Sequence, residues 1–218
     1  MSAAVLSSLL DRLLYRHPFE GRSARRYARD ERPAFGDLDD RLLDALVSDE
    51  DVGSTLLDLG CGPGTFARRA ATRHPHLTVI AIDPSRDFAA ESPLPGVTVI
   101  RAAGEQLPLA TDSIDLAICL SSIRHVQDRA QTFHELRRVV RRTGRLMIVE
   151  LDPAASRKRI AAHADHLGSR LLRRAFGPLV VRTAPTAADI EAIAVRAGFA
   201  RRSLRADPIQ PVYILELA

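Results

Sequence analysis

The segment Leu56-Leu57-Asp58-Leu59-Gly60-Cys61-Gly62-Pro63-Gly64-Thr65 constrains the fold more than any other part of the chain. An apolar run enters three glycines at alternate positions and leaves in a helical pattern. That arrangement is needed where backbone must pass closely under a ligand, because a side chain at those positions would collide with it. Dinucleotide and phosphate loops have a related form. Here, however, the third glycine follows the second after two residues rather than three, and no Lys-Ser/Thr pair comes next, so neither a nicotinamide loop nor a P-loop fits.

The same grammar continues downstream. Short apolar runs at Thr55–Leu59, Thr78–Ile82, Val97–Arg101, Ile114–Leu120 and Arg145–Leu151 read as buried parallel strands. Helical stretches fall between them near Thr65–Arg73, Ser85–Glu91 and Gln127–Arg142, the last with Gly144 as its expected C-cap. Alternating strands and helices predict an α/β fold with a doubly wound sheet. Further on, Thr186 and Asp189 form a capping-box-like start, Ile190, Ile193, Ala194 and Ala197 give a buried stripe, and Gly198 closes the helix. The runs Phe199–Arg205 and Val212–Leu217 flank Pro208-Ile209-Gln210-Pro211, a connection too short for a parallel crossover, so an antiparallel hairpin is expected.

Two helical patterns precede the first strand: Val5, Leu6, Leu9, Leu10, Leu13 and Leu14, then Leu38, Leu42, Leu43, Leu46 and Val47. They predict an N-terminal helical cap over residues 1–50. After Pro153 a basic amphipathic helix is expected, with Ile160, Ala164, Leu167 and Leu171 on its apolar side; residues 154–180 read as a lid-like helical insertion. With no repeat or linker in view, residues 1–218 read as one domain.

Composition excludes some classes. Hydrophobic residues make up 46% and charged residues 27%, enough for a core and unlike a disordered chain. A net charge of +4 would suit nucleic acid, yet Lys158 is the single lysine among 31 basic residues. Such a chain-wide preference for Arg says little about partners. Cys61 and Cys119 form no CxxC, no signal-peptide pattern opens the chain, and no apolar run approaches the ~18 residues of a membrane span. A cytoplasmic protein with no stable membrane insertion is expected, as monomer or homodimer. His163 and His166 lie three apart without a third ligand, so they read as a solvated helix face, and no metal site is expected.

Asp83 ends the second strand 19 positions after Gly64, where a carboxylate can accept both hydroxyls of a ribose. An adenosine-containing ligand is implied. With that pair in place, the chain from about Tyr27 to Leu151 resembles the class I S-adenosylmethionine-dependent methyltransferases. The likeness is carried by LLDLGCGPGTFA, VIAIDPS, GEQLPLATDSIDLAICL and HELRRVVRRTGRLMIVE. The resemblance implies a Rossmann-like sheet of seven strands in the order 3-2-1-4-5-7-6, the last antiparallel, and S-adenosyl-L-methionine as cofactor, with S-adenosyl-L-homocysteine as product. Carried over by position, it implies that Gly60, Gly62 and Gly64 line the amino-acid end of the cofactor, that Asp58 fixes the loop, and that Asp83 takes the ribose. It further implies that Gly104 and Glu105 face the adenine, although Ala103 stands where the family often has Asp. Ser121 would sit near the transferable methyl, and Tyr27 would close over the cofactor.

After the fourth strand the chain reads Ser121-Ser122-Ile123-Arg124-His125-Val126-Gln127-Asp128. This stretch is similar to the ubiquinone/menaquinone biosynthesis C-methyltransferases, which show Arg-Asn-Val where this chain has Arg124-His125-Val126. The change would place a titratable base, His125, beside the methyl, or let Arg124 hold a phenolate-like oxygen; alternatively both brace the loop. The Pro-Cys and Asn/Asp-Pro-Pro-aromatic settings of base-methylating enzymes are absent from the sequence, so nucleic acid is not the expected partner. The expectation is methyl transfer to a small apolar or aromatic molecule. An RNA or protein methyltransferase, or an inert cofactor-binding protein, are the alternatives.

Overall fold

Of the residues from Ile114 to Leu120 only Asp115 is charged, and from Leu116 onward the sheet sorts the apolar ones by parity. Side chains alternate between faces along a strand, so an uninterrupted apolar run serves a sheet covered on both sides. Leu116, Ile118 and Leu120 join one buried cluster with Leu38, Leu42 and Phe66. Ala117 and Cys119 join another with Phe133, Leu136 and Ile190. Phe66 and Phe133 are essentially inaccessible, and each such side chain contributes about 1.5–3 kcal/mol on leaving water.

In the computed structural model, residues 20–21, 35–47, 54–89, 95–167 and 170–218 are described. The expected helix at 2–14 and Tyr27 lie outside them. Helix α1 (Leu38–Leu46) precedes β1 (Thr55–Leu59), α2 (Thr65–Arg73), β2 (Thr78–Asp83), α3 (Arg86–Ala89), β3 (Val97–Arg101) and β4 (Ile114–Leu120). A 3₁₀ turn (Ile123–His125), α4 (Arg129–Val139), β5 (Val140–Leu151), α5 (Arg157–Asp165) and α6 (Arg170–Ala175) follow. A π-helical segment (Phe176–Val181), α7 (Ala187–Arg196), β6 (Arg201–Ala206) and β7 (Val212–Leu217) complete the chain. The seven strands lie in the order β3-β2-β1-β4-β5-β7-β6. β7 runs antiparallel to both β5 and β6, so the hairpin expected from the short turn is present. The Thr186–Asp189 capping box opens α7 as read from the sequence.

Three expectations are corrected. The fourth helix stops at Val139, and residues 140–144 belong to β5, where Val140 pairs with Ile114 ahead of a register shift. Gly144 is therefore not a helix cap. A Cβ on it would stand 2.8 Å from the Asp115 carbonyl oxygen, so the glycine allows two backbones to approach at the irregularity. The single basic helix expected after Pro153 is divided into α5, α6 and the π-helical segment, and Leu171 is exposed rather than part of the apolar stripe. His163 is not solvated: it is buried, stacked 4.9 Å from Phe176, edge-on to Phe35 and bonded through Nδ1 to Gln210 Oε1 at 2.9 Å. Burial pushes its pKa down, so the imidazole behaves as a core aromatic.

Candidate active site

β1 and β4 are sheet neighbours whose onward connections diverge, β1 leading to β2 and β4 to β5. A parallel sheet opens a crevice beyond its strand ends at such a point. A cleft of about 500 Å³ occupies it.

The glycine turn forms one wall. Gly60 and Cys61 donate their N–H groups to the Ile82 carbonyl at 2.7 and 3.2 Å, bending β1 over the end of β2. Gly60 (φ 72°) is closed off by Ser122, whose Oγ donates to the Leu59 carbonyl at 2.9 Å. Gly62 (φ 54°) faces open space instead, the nearest atom to a Cβ there being a Phe88 ring carbon at 3.8 Å. Gly60 and Gly62 both line the cleft, with the Cβ position of Gly60 filled by Ser122, whereas Gly64 (φ 76°) is the left-handed residue that starts α2 and is outside the cleft lining.

Asp83 is buried at the end of β2 and lines the cleft. Its Oδ2 accepts the Gly62 N–H at 2.9 Å and its Oδ1 the Ser85 N–H at 2.8 Å. Desolvation pushes its pKa up, with those two backbone bonds opposing. A carboxylate oxygen has two lone pairs, so both oxygens keep acceptor capacity toward the cleft.

Beyond β4 the chain turns through Ser121, a non-glycine residue at φ 51°, a conformation costing about 1–2 kcal/mol. The Ser121 N–H is held by the Val149 carbonyl at 2.7 Å, while its Oγ is buried and makes no hydrogen bond among the described residues. Strain and an orphaned polar atom at the same residue mark a place built for something other than stability. His125 lines the cleft, half-buried, on the 3₁₀ turn. Glu105 Oε1 accepts the N–H groups of Gln127 and Asp128 at 3.0 and 2.9 Å, so this carboxylate clamps the loop after β4 while lining the cleft. Gly104 also lines it, and a Cβ there would stand 2.9 Å from Thr132 Cγ2, so its small size serves the packing of α4.

Two further candidates lie elsewhere. Asp58 is buried within β1 and is not part of the cleft lining. Arg124 is buried as well, and its guanidinium donates to the Val180 carbonyl at 3.0 Å and to Thr183 Oγ1 at 3.2 Å, away from the cleft. Sequence reasoning missed Phe88 and Val126, both on the cleft. An apolar residue on the first turn after the ribose-type carboxylate was the available signal for Phe88. Cys119, buried within β4, reaches the cleft too; its thiol is 2.9 Å from Ser122 Oγ, and burial pushes its pKa up to about 12, which makes it inert.

The methyltransferase domain model matches residues 57–148, the span that carries the glycine turn, Asp83 and β4. Over that span the chain carries a methyltransferase domain. A 37.1 kDa protein of a Streptomyces fradiae transposon is 36% identical over 165 residues, 73% of this chain and 46% of that protein. The ubiquinone/menaquinone biosynthesis C-methyltransferase of Syntrophotalea carbinolica is 34% identical over 101 residues, 44% of this chain and 43% of that enzyme. The chain thus spans less than half the length of these curated relatives. Among solved structures, a methyltransferase from Aquifex aeolicus superposes with a TM-score of 0.59 at 16% identity, covering 87% of this chain and 98% of that one, a likeness of fold. The residues that line the cleft, from Leu59 to Asp128, all fall within the matched span. Among the described residues, no helix is long and apolar enough to cross a membrane and no acidic, Cys or His cluster could hold a metal.

Proposed function

We propose that the chain transfers a methyl group from S-adenosyl-L-methionine to a small apolar or aromatic molecule, releasing S-adenosyl-L-homocysteine. The observation that carries this reading is the bond from Gly62 N–H to Asp83 Oδ2, which sets an open stretch of backbone and an acceptor-rich carboxylate on one wall of the cleft. The residues present fit the cofactor: Asp83 would accept the ribose hydroxyls, Gly62 leaves room at the backbone, and the orphaned Ser121 Oγ awaits a polar partner. When bound, the sulfonium supplies an already activated methyl carbon.

What remains for the chain is orientation, because an in-line displacement needs the acceptor held directly behind that carbon. Phe88, Leu120 and Val126 offer apolar walls suited to a ring or an alkyl body. His125 is the imidazole that lines the cleft, and in this reading it takes a proton from the acceptor. Arg124 holds the turn that carries His125 rather than facing the acceptor. The likeness to a quinone C-methyltransferase supports an aromatic acceptor. Mixing the protein with methyl-labelled cofactor and a metabolite extract tests the reading: label should pass to a small organic molecule. Asp83→Ala should weaken cofactor binding by about tenfold or more in calorimetry, a loss on the scale of charge-assisted hydrogen bonds. Unchanged affinity would contradict the site. His125→Asn should lower turnover at saturating cofactor, and full activity would remove His125 from the mechanism.

A further inference from the structure

We propose that the ends of β4, β5 and β7 form the recognition site for a neutral hydroxyl group of the methyl acceptor, with Glu150 and Tyr213 as the groups that bind it. This rests on the methyltransferase reading above. The three strands are consecutive neighbours in the sheet. The bond from Ser121 N–H to the Val149 carbonyl sets Ser121 beside Glu150, and Glu150 pairs directly with Tyr213 across the antiparallel ladder. At one level of the sheet, three adjacent strands each present a polar side chain.

Each of those side chains is left incomplete. Ser121 Oγ, Glu150 Oε2 and Tyr213 Oη are buried and make no hydrogen bond among the described residues. Glu150 is fully buried and Tyr213 nearly so. Buried polar atoms are satisfied in the great majority of cases, and each orphan costs free energy. That of Ser121 belongs to the cofactor in the reading above; those of Glu150 and Tyr213, paired across the ladder, point to a shared partner. The row also leads to the cleft. Ser121 lines it, and Glu150 and Tyr213 follow one and two strands away, behind that lining.

The surroundings select the partner's chemistry. Glu150 Oε1 accepts the Leu151 N–H and the Arg124 N–H also bears on the carboxyl, while Oε2 makes no hydrogen bond among the described residues. The charges of Arg124 and Arg129, both buried, bear on Glu150 and would repel an ammonium group. A neutral hydroxyl both donates and accepts, so it pairs with Glu150 whether that carboxyl is ionised or protonated, and with the phenol of Tyr213 as well. The 3₁₀ turn packs on β5 as a roof, and Arg124 fastens it to the π-helical segment through Val180 and Thr183.

The test uses the full chain loaded with S-adenosyl-L-homocysteine and three probes of one shape: benzyl alcohol, benzylamine and ethylbenzene. Binding is followed by calorimetry or by ligand-observed NMR. The alcohol should bind about tenfold tighter than either of the others, the scale of one added hydrogen bond in a buried site. Tyr213→Phe and Glu150→Leu should each shrink that advantage to roughly threefold or less, since each deletes one of the two partners. Both variants should bind S-adenosyl-L-homocysteine as the parent does. Equal binding of the three probes by the parent overturns the inference even if a variant fails to fold, and so does a preference that survives both substitutions. A parent that does not bind S-adenosyl-L-homocysteine brings down the methyltransferase reading and this inference with it. Normal binding of that compound without an alcohol preference removes only the inference.

Discussion

Ser122 occupies the space in which a side chain on Gly60 would have to lie: a Cβ there would stand 2.4 Å from Ser122 Cβ and 2.5 Å from its Oγ. The loop after β4 is thereby locked against the turn after β1, and the two walls of the cleft become one body. Gly60→Ala should cost about 1–2 kcal/mol for the left-handed backbone and a further ~1–3 kcal/mol for the overpacked contact. The double variant Gly60→Ala/Ser122→Gly should recover the second part and not the first. Denaturant midpoints of the three proteins decide it; a single variant as stable as the parent would mean the lock is absent.

Gly62→Ala separates binding from stability. No atom crowds its Cβ, so the stability cost should be limited to the backbone strain of about 1–2 kcal/mol. The methyl group enters the cleft, and cofactor affinity should fall by more than that strain accounts for. Calorimetry beside a denaturation curve measures both, and an affinity equal to the parent's would remove the close approach of backbone to ligand.

Asp83 predicts a pH dependence. Its folded pKa is raised, first by desolvation, so the native state of the free protein binds a proton more readily than the unfolded chain does. Stability contributed by this group is therefore lost as pH rises from the ordinary carboxylate range through the folded value. In Asp83→Asn that slope should vanish while cofactor affinity falls. Stability curves of the two proteins that stay parallel through this interval would contradict the assignment.

Asp207 predicts the opposite slope. Burial pushes its pKa up, but the Arg41 guanidinium and the N–H groups of Gln210 and Ile209 outweigh that and hold it below the usual carboxylate range. Its contribution is present above the unfolded pKa and is lost as pH falls through the folded one. Arg41→Ala, which unties α1 from the β6–β7 turn, should cost about 1–3 kcal/mol at neutral pH and less in acid. Equal losses at both pH values would show that the ion pair does not carry the effect.

Gly144→Ala offers a control remote from the cleft. Its Cβ would press on the Asp115 carbonyl and on Val140 Cγ1, each at 2.8 Å. A loss of about 1–3 kcal/mol is expected, with cofactor affinity unchanged. A change in affinity would mean that strain at this irregularity reaches the β4 end.

The alternation of apolar runs and helices along the chain was sufficient for the sheet, because buried parallel strands and amphipathic helices have different periods and each leaves its mark locally. β1, β3, β4 and β7 begin and end where those runs do. Turn length made the last pair antiparallel, and the glycine turn with Asp83 located the cleft. Contacts between segments distant in the chain were decided by the tertiary structure alone. Gly60 and Gly104 are small because of Ser122 and Thr132, far away in sequence. Arg124 turns from the cleft because Val180 and Thr183 offer oxygens to a buried guanidinium, and His163 is buried because Phe35, Phe176 and Gln210 converge on it. Periodicity records which face a residue belongs to, since that follows from backbone geometry. Which partner it meets there depends on how the elements are packed, and no local pattern carries that information.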